Sequence, residues 1–244
     1  MSKLPLTKLI GEGELTASLI SLVIPAYNEE KTIGNVLEQT IQVMDALGMP
    51  YEVIVVDDGS SDRTKEMASK YKAKVLSNGK NRGKGYAIRK GLQQAKGDII
   101  VTMDADGSHN PKQIPDLIKP LFNGADIVAG SRFLNHGKKS TSKLKTLGNH
   151  LINVTIMVLT GKKVTDSQTG LRAFKKDFLQ KTILESCGYE IETEITVKSL
   201  KNGFNFQEIP INCRKRENGI SKIKILPDGL KIFQIILKST AQNN

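Results

Sequence analysis

Three apolar runs of strand length, Leu19 to Ile24, Glu52 to Val56 and Asp98 to Met103, are each followed by a polar cluster or a tight turn, and helix-length segments separate them. This alternation limits the fold more than any other feature of the chain. Strands separated by helices imply a mostly parallel sheet with helices on both faces, an α/β, Rossmann-like domain. The first helix is expected from about Glu29 to Leu47, where Ile33, Leu37, Ile41 and Met44 recur at helical spacing. Pro25 is expected to halt the strand before it. Further helices are expected over Ser61 to Tyr71, Tyr86 to Ala95 and from Asn110-Pro111 to about Phe122, with short strands over Lys74 to Ser77 and Asp126 to Ala129. Phe133 to Ser142 reads as a basic polar loop. Lys143 to Leu159 is helical in rhythm, Gly170 to Phe174 extended, Glu192 to Leu200 helical and Phe204 to Ile209 extended. The organisation is an extension over 1–18, one domain over 19–226 and an amphipathic tail over 227–244.

In parallel strands the carboxyl ends share one edge of the sheet, where ligand crevices form. Three of these ends carry Pro25-Ala-Tyr27-Asn-Glu29, Asp57-Asp58-Gly59-Ser60 and Asp104-Ala105-Asp106. Two carboxylates one residue apart repel each other unless a cation lies between them. A hard divalent ion that already carries a diphosphate suits such a pair. A bare Asp-x-Asp is also common in ordinary polar loops, so the pair gains meaning only from its neighbours.

Lys and Arg outnumber Asp and Glu by 36 to 25, a formal charge of +11. The excess suggests an anionic partner, or simply solubility charge. Five Tyr, seven Phe and no Trp give little support to a platform for stacking single-stranded bases. Cys187 and Cys213 lack metal-ligand spacing and read as packing residues of a reduced, cytosolic protein. Leu4 to Ile10, broken by Pro5 and Lys8, is too short for a signal-peptide core. No apolar run reaches the roughly 18 residues of a membrane span.

Six segments, in order, give a sharper identity: Val23-Ile-Pro-Ala-Tyr-Asn-Glu29, Val55-Val-Asp-Asp-Gly-Ser60, Asp104-Ala-Asp-Gly-Ser-His109, Gly130-Ser-Arg-Phe133, Asp166-Ser-Gln-Thr-Gly-Leu-Arg172 and Arg216-Glu-Asn-Gly-Ile-Ser-Lys222. Together they resemble family 2 glycosyltransferases of the GT-A fold, within them the dolichyl-phosphate mannose and glucose synthases. The resemblance runs from about Leu19 to Lys222.

That resemblance implies a nucleotide-sugar pocket lined by Pro25, Tyr27, Glu29, Val56, Asp58, Asp104 and Ala105. Tyr27 would lie against the base and Glu29 would accept from ribose hydroxyls. On the residues alone, Tyr27 is equally a loop aromatic, Glu29 a first-turn acid favoured by the helix dipole and Asp58 a helix cap. Asp104 and Asp106 match the metal pair for Mg or Mn, with Ser108 at the third position and His109 beside it. Asp106 is the direct ligand of choice, and water would complete the sphere around so weak a ligand as Ser108. Arg82 and Lys84, in the glycine-rich Asn81-Arg-Gly-Lys-Gly-Tyr86 turn before a helix, would meet phosphate or sugar, since a helix amino terminus favours anions. A plain surface turn is the alternative. Arg132, Arg216 and Lys222 match positions that hold acceptor or leaving-group phosphates, as guanidinium forks and ammonium point charges do, and Arg172, after a Ser-x-Thr-Gly turn in the expected place, is grouped with them. For Arg172 a structural salt bridge is a fair rival.

The implied reaction is inverting displacement at the anomeric carbon of a nucleotide diphosphate sugar by the phosphate of a polyprenol or dolichol. Asp106 and Arg132 would be catalytic. That phosphate is already ionised near neutral pH, so no side-chain base is needed. The protein's part is positioning and charge stabilisation. The Asn81 to Gly85 string tilts the donor toward a UDP-sugar over GDP-mannose. A lipid acceptor implies peripheral attachment to the cytoplasmic face of a membrane, through the Lys-rich His136 to Lys145 loop, the apolar Leu230 to Leu237 tail or an anchoring partner. The rivals are a family 2 enzyme with a hydroxyl acceptor, a nucleotidyltransferase, which would need a glycine-rich loop after the first strand, and a basic nucleic-acid-binding domain. Nucleic acid is not an expected partner.

Overall fold

The computed structural model describes residues 18–134, 143–214 and 225–241. Among these, seven strands form one sheet. In chain order the elements are β1 (Ile20–Ala26), α1 (Ile33–Leu47), β2 (Tyr51–Asp57), α2 (Thr64–Ala68), β3 (Lys74–Ser77), α3 (Lys84–Gln94), β4 (Ile99–Thr102), a 3-10 turn (Pro111–Gln113), α4 (Ile114–Phe122), β5 (Ile127–Ser131), α5 (Lys143–Thr160), β6 (Arg172–Lys175), α6 (Lys176–Gln180), α7 (Ile191–Lys201), β7 (Phe206–Pro210) and α8 (Ile225–Ala241). The order across the sheet is β3-β2-β1-β4-β6-β5-β7. Pairings are parallel except where β6 meets β4 and β5, so β6 alone runs backwards.

Strand periodicity explains the two covered faces. Ile20, Leu22 and Ile24 of β1, Val53 and Val55 of β2, and Val101 of β4 join one core with Ile33, Leu37 and Met44 of α1 and Leu117 of α4. The residues between them, Val23 and Ile100, face the opposite way with Phe174 and pack on Ile88 and Leu92 of α3 and Ile191 and Ile195 of α7. α1 ends at Gly48, whose φ of 73° is the left-handed conformation that favours glycine, and its N–H closes on Met44 and Asp45 carbonyls.

Several boundaries differ from the sequence expectation. β1 continues through Pro25 to Ala26. It can do so because β4 pairs with β1 only as far as Val23, while β2 pairs with it to the end. α1 starts at Ile33, so Glu29 lies in the preceding turn and is not a first-turn acid. α2 is only one turn long, and its start is tied by Asp62, which accepts from the Thr64 N–H at 3.0 Å, not by Asp58. β6 runs antiparallel, and α6 was not anticipated. Cys187 is exposed and does not pack in a core, while Cys213 is partly buried.

The tail is not apolar all round in its packing. Ile232 and Ile236 of α8 are buried with Ile156 of α5 and Val197 of α7. Leu230, Phe233 and Leu237 remain outward. On α5, Leu147, Leu151, Val154 and Val158 form a second exposed stripe at helical spacing, with Val158 73% exposed. Among the described residues no helix is long and apolar enough to cross a membrane.

Candidate active site

The edge where β1, β2, β4 and β5 end gathers most of the expected residues, because these four strands run in the same direction. Backbone bonds bind the ends together. The Asp58 N–H donates to the Ala26 carbonyl at 2.8 Å, and the Met103 N–H to that of Val23 at 3.2 Å. The turn after β1 is locked to the turn after β2. The Asn28 N–H donates to Ser60 Oγ at 2.9 Å, the Ser61 N–H to Asn28 Oδ1 at 2.8 Å and the Glu29 N–H to Thr64 Oγ1 at 2.7 Å. Asn28 has a φ of 55°, a left-handed conformation in a non-glycine residue. Strain of this kind survives where the surroundings over-determine the backbone. Tyr27 and Pro25 are half-buried there, and Glu29 is buried, accepting from the Thr32 hydroxyl.

Two parts of the expected nucleotide pocket are occupied by the chain itself. The side chain of Val56 is fully buried beside Ala87, so only its backbone faces the edge. Asp58 is buried too. Its carboxylate accepts from Asn78 Nδ2 at 2.7 Å and from the N–H groups of Arg82 at 3.0 Å and Gly83 at 2.8 Å. The amino terminus of α3 is likewise filled. The Gly85 and Tyr86 N–H groups donate to the Gly188 and Cys187 carbonyls at 3.1 and 3.0 Å. The expectation of an open anion site at this helix end is therefore corrected, since Asp58 and the Cys187–Gly188 carbonyls already satisfy those donors. Arg82 itself is exposed, its guanidinium lying 4.9 Å from the centre of the Tyr86 ring.

Lys84 turns inward. Its Nζ lies 2.5 Å from Asp104 Oδ1 and 2.6 Å from Glu192 Oε1. Burial opposes the Lys84 charge, but the two carboxylates outweigh it and raise its pKa far above the ordinary lysine value. Burial also works against the Asp104 charge, yet Lys84, His109 and Arg132 together hold it at about 2. Glu192, in the first turn of α7, is pushed up from the usual glutamate value by burial, against the pull of Lys84. Glu192 was not anticipated from the sequence. Only its place in a helix start was legible, and its meeting with Lys84 depends on how α3 and α7 pack on one sheet face.

After β4, Asp104, Asp106 and Ser108 are half-exposed while Ala105, Gly107 and His109 are buried. The segment thus presents oxygen ligands on alternate residues. Asp106 Oδ1 accepts from the Ser108 N–H at 3.0 Å. The antiparallel register of β6 sets Thr102 opposite Arg172, which carries Gly170 to the Asp104 carboxylate. A Cβ at Gly170 would lie 2.7 and 2.8 Å from the two Asp104 oxygens, so only glycine lets the backbone approach the carboxylate this closely. The all-oxygen donor set of Asp104, Asp106 and Ser108 fits a hard divalent cation. Among the described residues no group of three or more His, Cys, Asp or Glu side chains offers a complete metal site, so any such ion would depend on ligands from elsewhere. His109 is buried, and burial depresses its pKa below the ordinary histidine value. Cys213 lies in the same field, its thiol pushed up to about 11 by burial.

Arg132, just past β5, is gripped by Asp166. Nε and Nη2 donate to Asp166 Oδ2 and Oδ1 at 2.6 and 2.8 Å, and the Arg132 N–H adds a third bond at 3.1 Å. Burial works against the Asp166 charge, but these bonds hold its pKa below the usual carboxylate value. Asn149 Nδ2 donates to Asp166 Oδ1 at 2.9 Å, and Glu208 accepts from the Asp166 and Thr165 N–H groups at 2.8 Å. The grip leaves the Arg132 side chain 25% exposed.

Arg172 departs from expectation. It is fully buried, and its guanidinium donates to the Ser167 and Thr169 carbonyls and to Thr196 Oγ1 at 2.8 to 2.9 Å. It braces the turn behind the acids and does not present itself to a phosphate. Arg216, Lys222 and the loop from His136 to Ser142 lie outside the described residues.

The family model described as glycosyl transferase family 2 matches residues 21–183. The chain is 36% identical over 244 residues to a UDP-N-acetylglucosamine–dolichyl-phosphate N-acetylglucosaminyltransferase of Methanococcus voltae, covering 90% of this chain and 95% of that protein. It is 33% identical over 225 residues to a dolichol-phosphate mannosyltransferase of Pyrococcus furiosus, covering 89% of this chain but 61% of that protein. An uncharacterized protein of Methanocaldococcus jannaschii is 37% identical over 234 residues, covering 93% and 94% of the two chains. Among solved structures, glucosyl-3-phosphoglycerate synthase from Mycobacterium tuberculosis, in complex with Mn2+, uridine diphosphate and phosphoglyceric acid, superposes with a TM-score of 0.75 at 23% identity, over 93% of this chain and 80% of that one. The last likeness speaks to the fold, the GT-A arrangement. The chain belongs to glycosyltransferase family 2 and is a sugar-transferring enzyme.

Proposed function

We propose that this enzyme transfers a hexose from a nucleotide diphosphate sugar, a UDP-sugar ahead of GDP-mannose, to the phosphate of a polyprenol or dolichol, with inversion and with Mg or Mn. The observation that carries the reading is the pairing of the Asp104–Asp106 acids with an arginine already locked in place by Asp166. The relatives from Methanococcus voltae and Pyrococcus furiosus, both named for dolichyl or dolichol phosphate acceptors, support the acceptor class.

Asp106, Oδ2 of Asp104 and Ser108 would hold the cation, which when bound supplies positive charge to the leaving diphosphate. The residues of the chain do the rest. Tyr27, Glu29, Pro25 and the backbone at Val56 and Ala105 would seat the nucleoside, with Asp58 fixing the Asn78 to Gly83 strap beside it. Arg132 would fix the acceptor phosphate oxygens next to the anomeric carbon, joined by Arg216 and Lys222. Its rigid mounting matters because displaced geometry of about 1 Å can lower rate about a hundredfold. Asp104 and Glu192 share the Lys84 ammonium, and Asp166 is bound to Arg132. Asp104 and Asp166 are held below the usual carboxylate range and are poor bases for a hydroxyl, which favours an acceptor that brings its own negative charge. The domain division, with catalysis over 19–226, follows from this reading.

The exposed stripes of α5 and α8 support peripheral contact with a membrane on its cytoplasmic face, where amphipathic helices bury their apolar sides. An anchoring partner would serve the same end.

The test is a panel of UDP- and GDP-sugars with a short polyprenyl phosphate and Mn2+ or Mg2+. Asp106→Ala should lower turnover at least about a hundredfold, the order seen when one electrostatic stabiliser is lost, while the protein stays folded. Transfer to a hydroxyl acceptor and not to the lipid phosphate refutes the acceptor. Turnover that survives both chelator and Asp106→Ala refutes the metal.

A further inference from the structure

The Lys84 ammonium is held between two carboxylates, and its backbone is fixed, before any substrate arrives. Glu194 of α7 accepts from the Glu185 N–H at 2.9 Å and the Ser186 N–H at 2.8 Å, and Glu190 accepts from those of Cys187 and Gly188 at 3.2 and 2.9 Å. The segment thus fixed offers its Cys187 and Gly188 carbonyls to the first N–H groups of α3. Glycine on either side of Lys84 permits this approach. A Cβ at Gly83 would lie 2.3 Å from the Cys187 carbonyl oxygen, and one at Gly85 2.6 Å from that of Ser186. The backbone around Lys84 is therefore set through Glu190 and Glu194, and its side chain ends between Asp104 and Glu192.

We propose that Glu192 is a positioning residue that shares the Lys84 ammonium with Asp104, so that Asp104 keeps enough negative charge to hold a divalent cation. The inference rests on the metal reading given above and extends it to a residue outside the acid pair. One ammonium between two carboxylates leaves the trio with a net negative charge. Without the Glu192 charge the ammonium would sit wholly on Asp104 and neutralise it. Glu192 touches neither donor nor acceptor in this scheme. It acts through Lys84, as outer partners of metal ligands do.

The experiment titrates Mn2+ alone into wild type, Glu192→Gln and Lys84→Gln, with bound ion counted by electron paramagnetic resonance and folding checked by circular dichroism. Gln at 192 keeps the size and one acceptor oxygen but removes the charge. Its Mn2+ dissociation constant should rise about tenfold or more. Lys84→Gln removes the competing cation and should tighten Mn2+ binding. These opposite signs support charge sharing. Weaker binding in both variants indicates a purely structural role and overturns the proposal, as does an unchanged constant in Glu192→Gln. If Glu192→Gln does not fold, the sign of the Lys84→Gln shift decides alone: tighter supports, weaker or equal overturns. A wild type that leaves free Mn2+ undiminished removes the metal site itself and this inference with it, whereas wild-type binding with equal constants removes only the role of Glu192.

Discussion

Replacing Asp166 by Asn isolates the mounting of Arg132. The buried carboxylate accepts five N–H groups: Oδ2 takes Arg132 N and Nε, and Oδ1 takes Arg132 Nη2, Asn149 Nδ2 and the Gln168 N–H. An amide has one oxygen and one NH2. Whichever way it turns, the NH2 faces at least two of those donors and leaves them without an acceptor. Each stranded buried donor costs about 1–3 kcal/mol, and breaking a buried ion pair costs about 3–5 kcal/mol. Because Arg132 is 25% exposed, water can recover part of its loss, so we expect about 3 kcal/mol in urea unfolding at pH 7. For a domain of this size that is a drop of roughly 6–12 °C in Tm. The pH dependence has a definite sign. Asp166 titrates below its unfolded value of 3.8 in the folded protein. Its contribution is complete above 3.8 and is lost as pH falls through the folded pKa. The gap between wild type and Asp166→Asn should therefore narrow in acid. With Arg132 free to swing, kcat/KM for the lipid phosphate should fall about a hundredfold. A gap under about 1 kcal/mol at pH 7, less than one stranded donor, or a gap that widens in acid, refutes the reasoning.

Gly170→Ala would press a methyl group against both Asp104 oxygens, so Mn2+ binding and turnover should both collapse, and unchanged Mn2+ binding would show that this side of Asp104 is not used. Arg172→Met should cost about 3 kcal/mol of stability by stranding the buried acceptors of the turn while the acceptor KM of the folded fraction holds. A raised KM with unchanged stability would return Arg172 to the phosphate. Val158→Asp with Phe233→Asp, on the two exposed stripes, should weaken flotation with anionic vesicles several-fold without shifting the unfolding midpoint, and equal flotation would remove these helices from the membrane contact.

The sequence alone determined the alternation of strands and helices, the edge on which the acids gather, and the family. Those are properties of local period and short motifs: Leu19 to Ile24 and Asp98 to Met103 alternate faces by necessity, and parallel neighbours must bring Asp58 and Asp104 to the same side. Tertiary structure decided what the charges do. Lys84 and Arg172 look alike as basic residues within two positions of a glycine, yet one sits between two carboxylates at the site and the other is sealed behind it. Asp58 reads as a ligand contact or a cap and proves to tie down a strap 20–25 residues further on. Asp166 showed only as part of a motif and Glu192 only as part of a helix start, because their partners lie far away in the chain and are reached only when β6 reverses and α7 and α3 pack on one sheet face. A charge takes its meaning from what surrounds it, and that arrangement exists only in the folded chain.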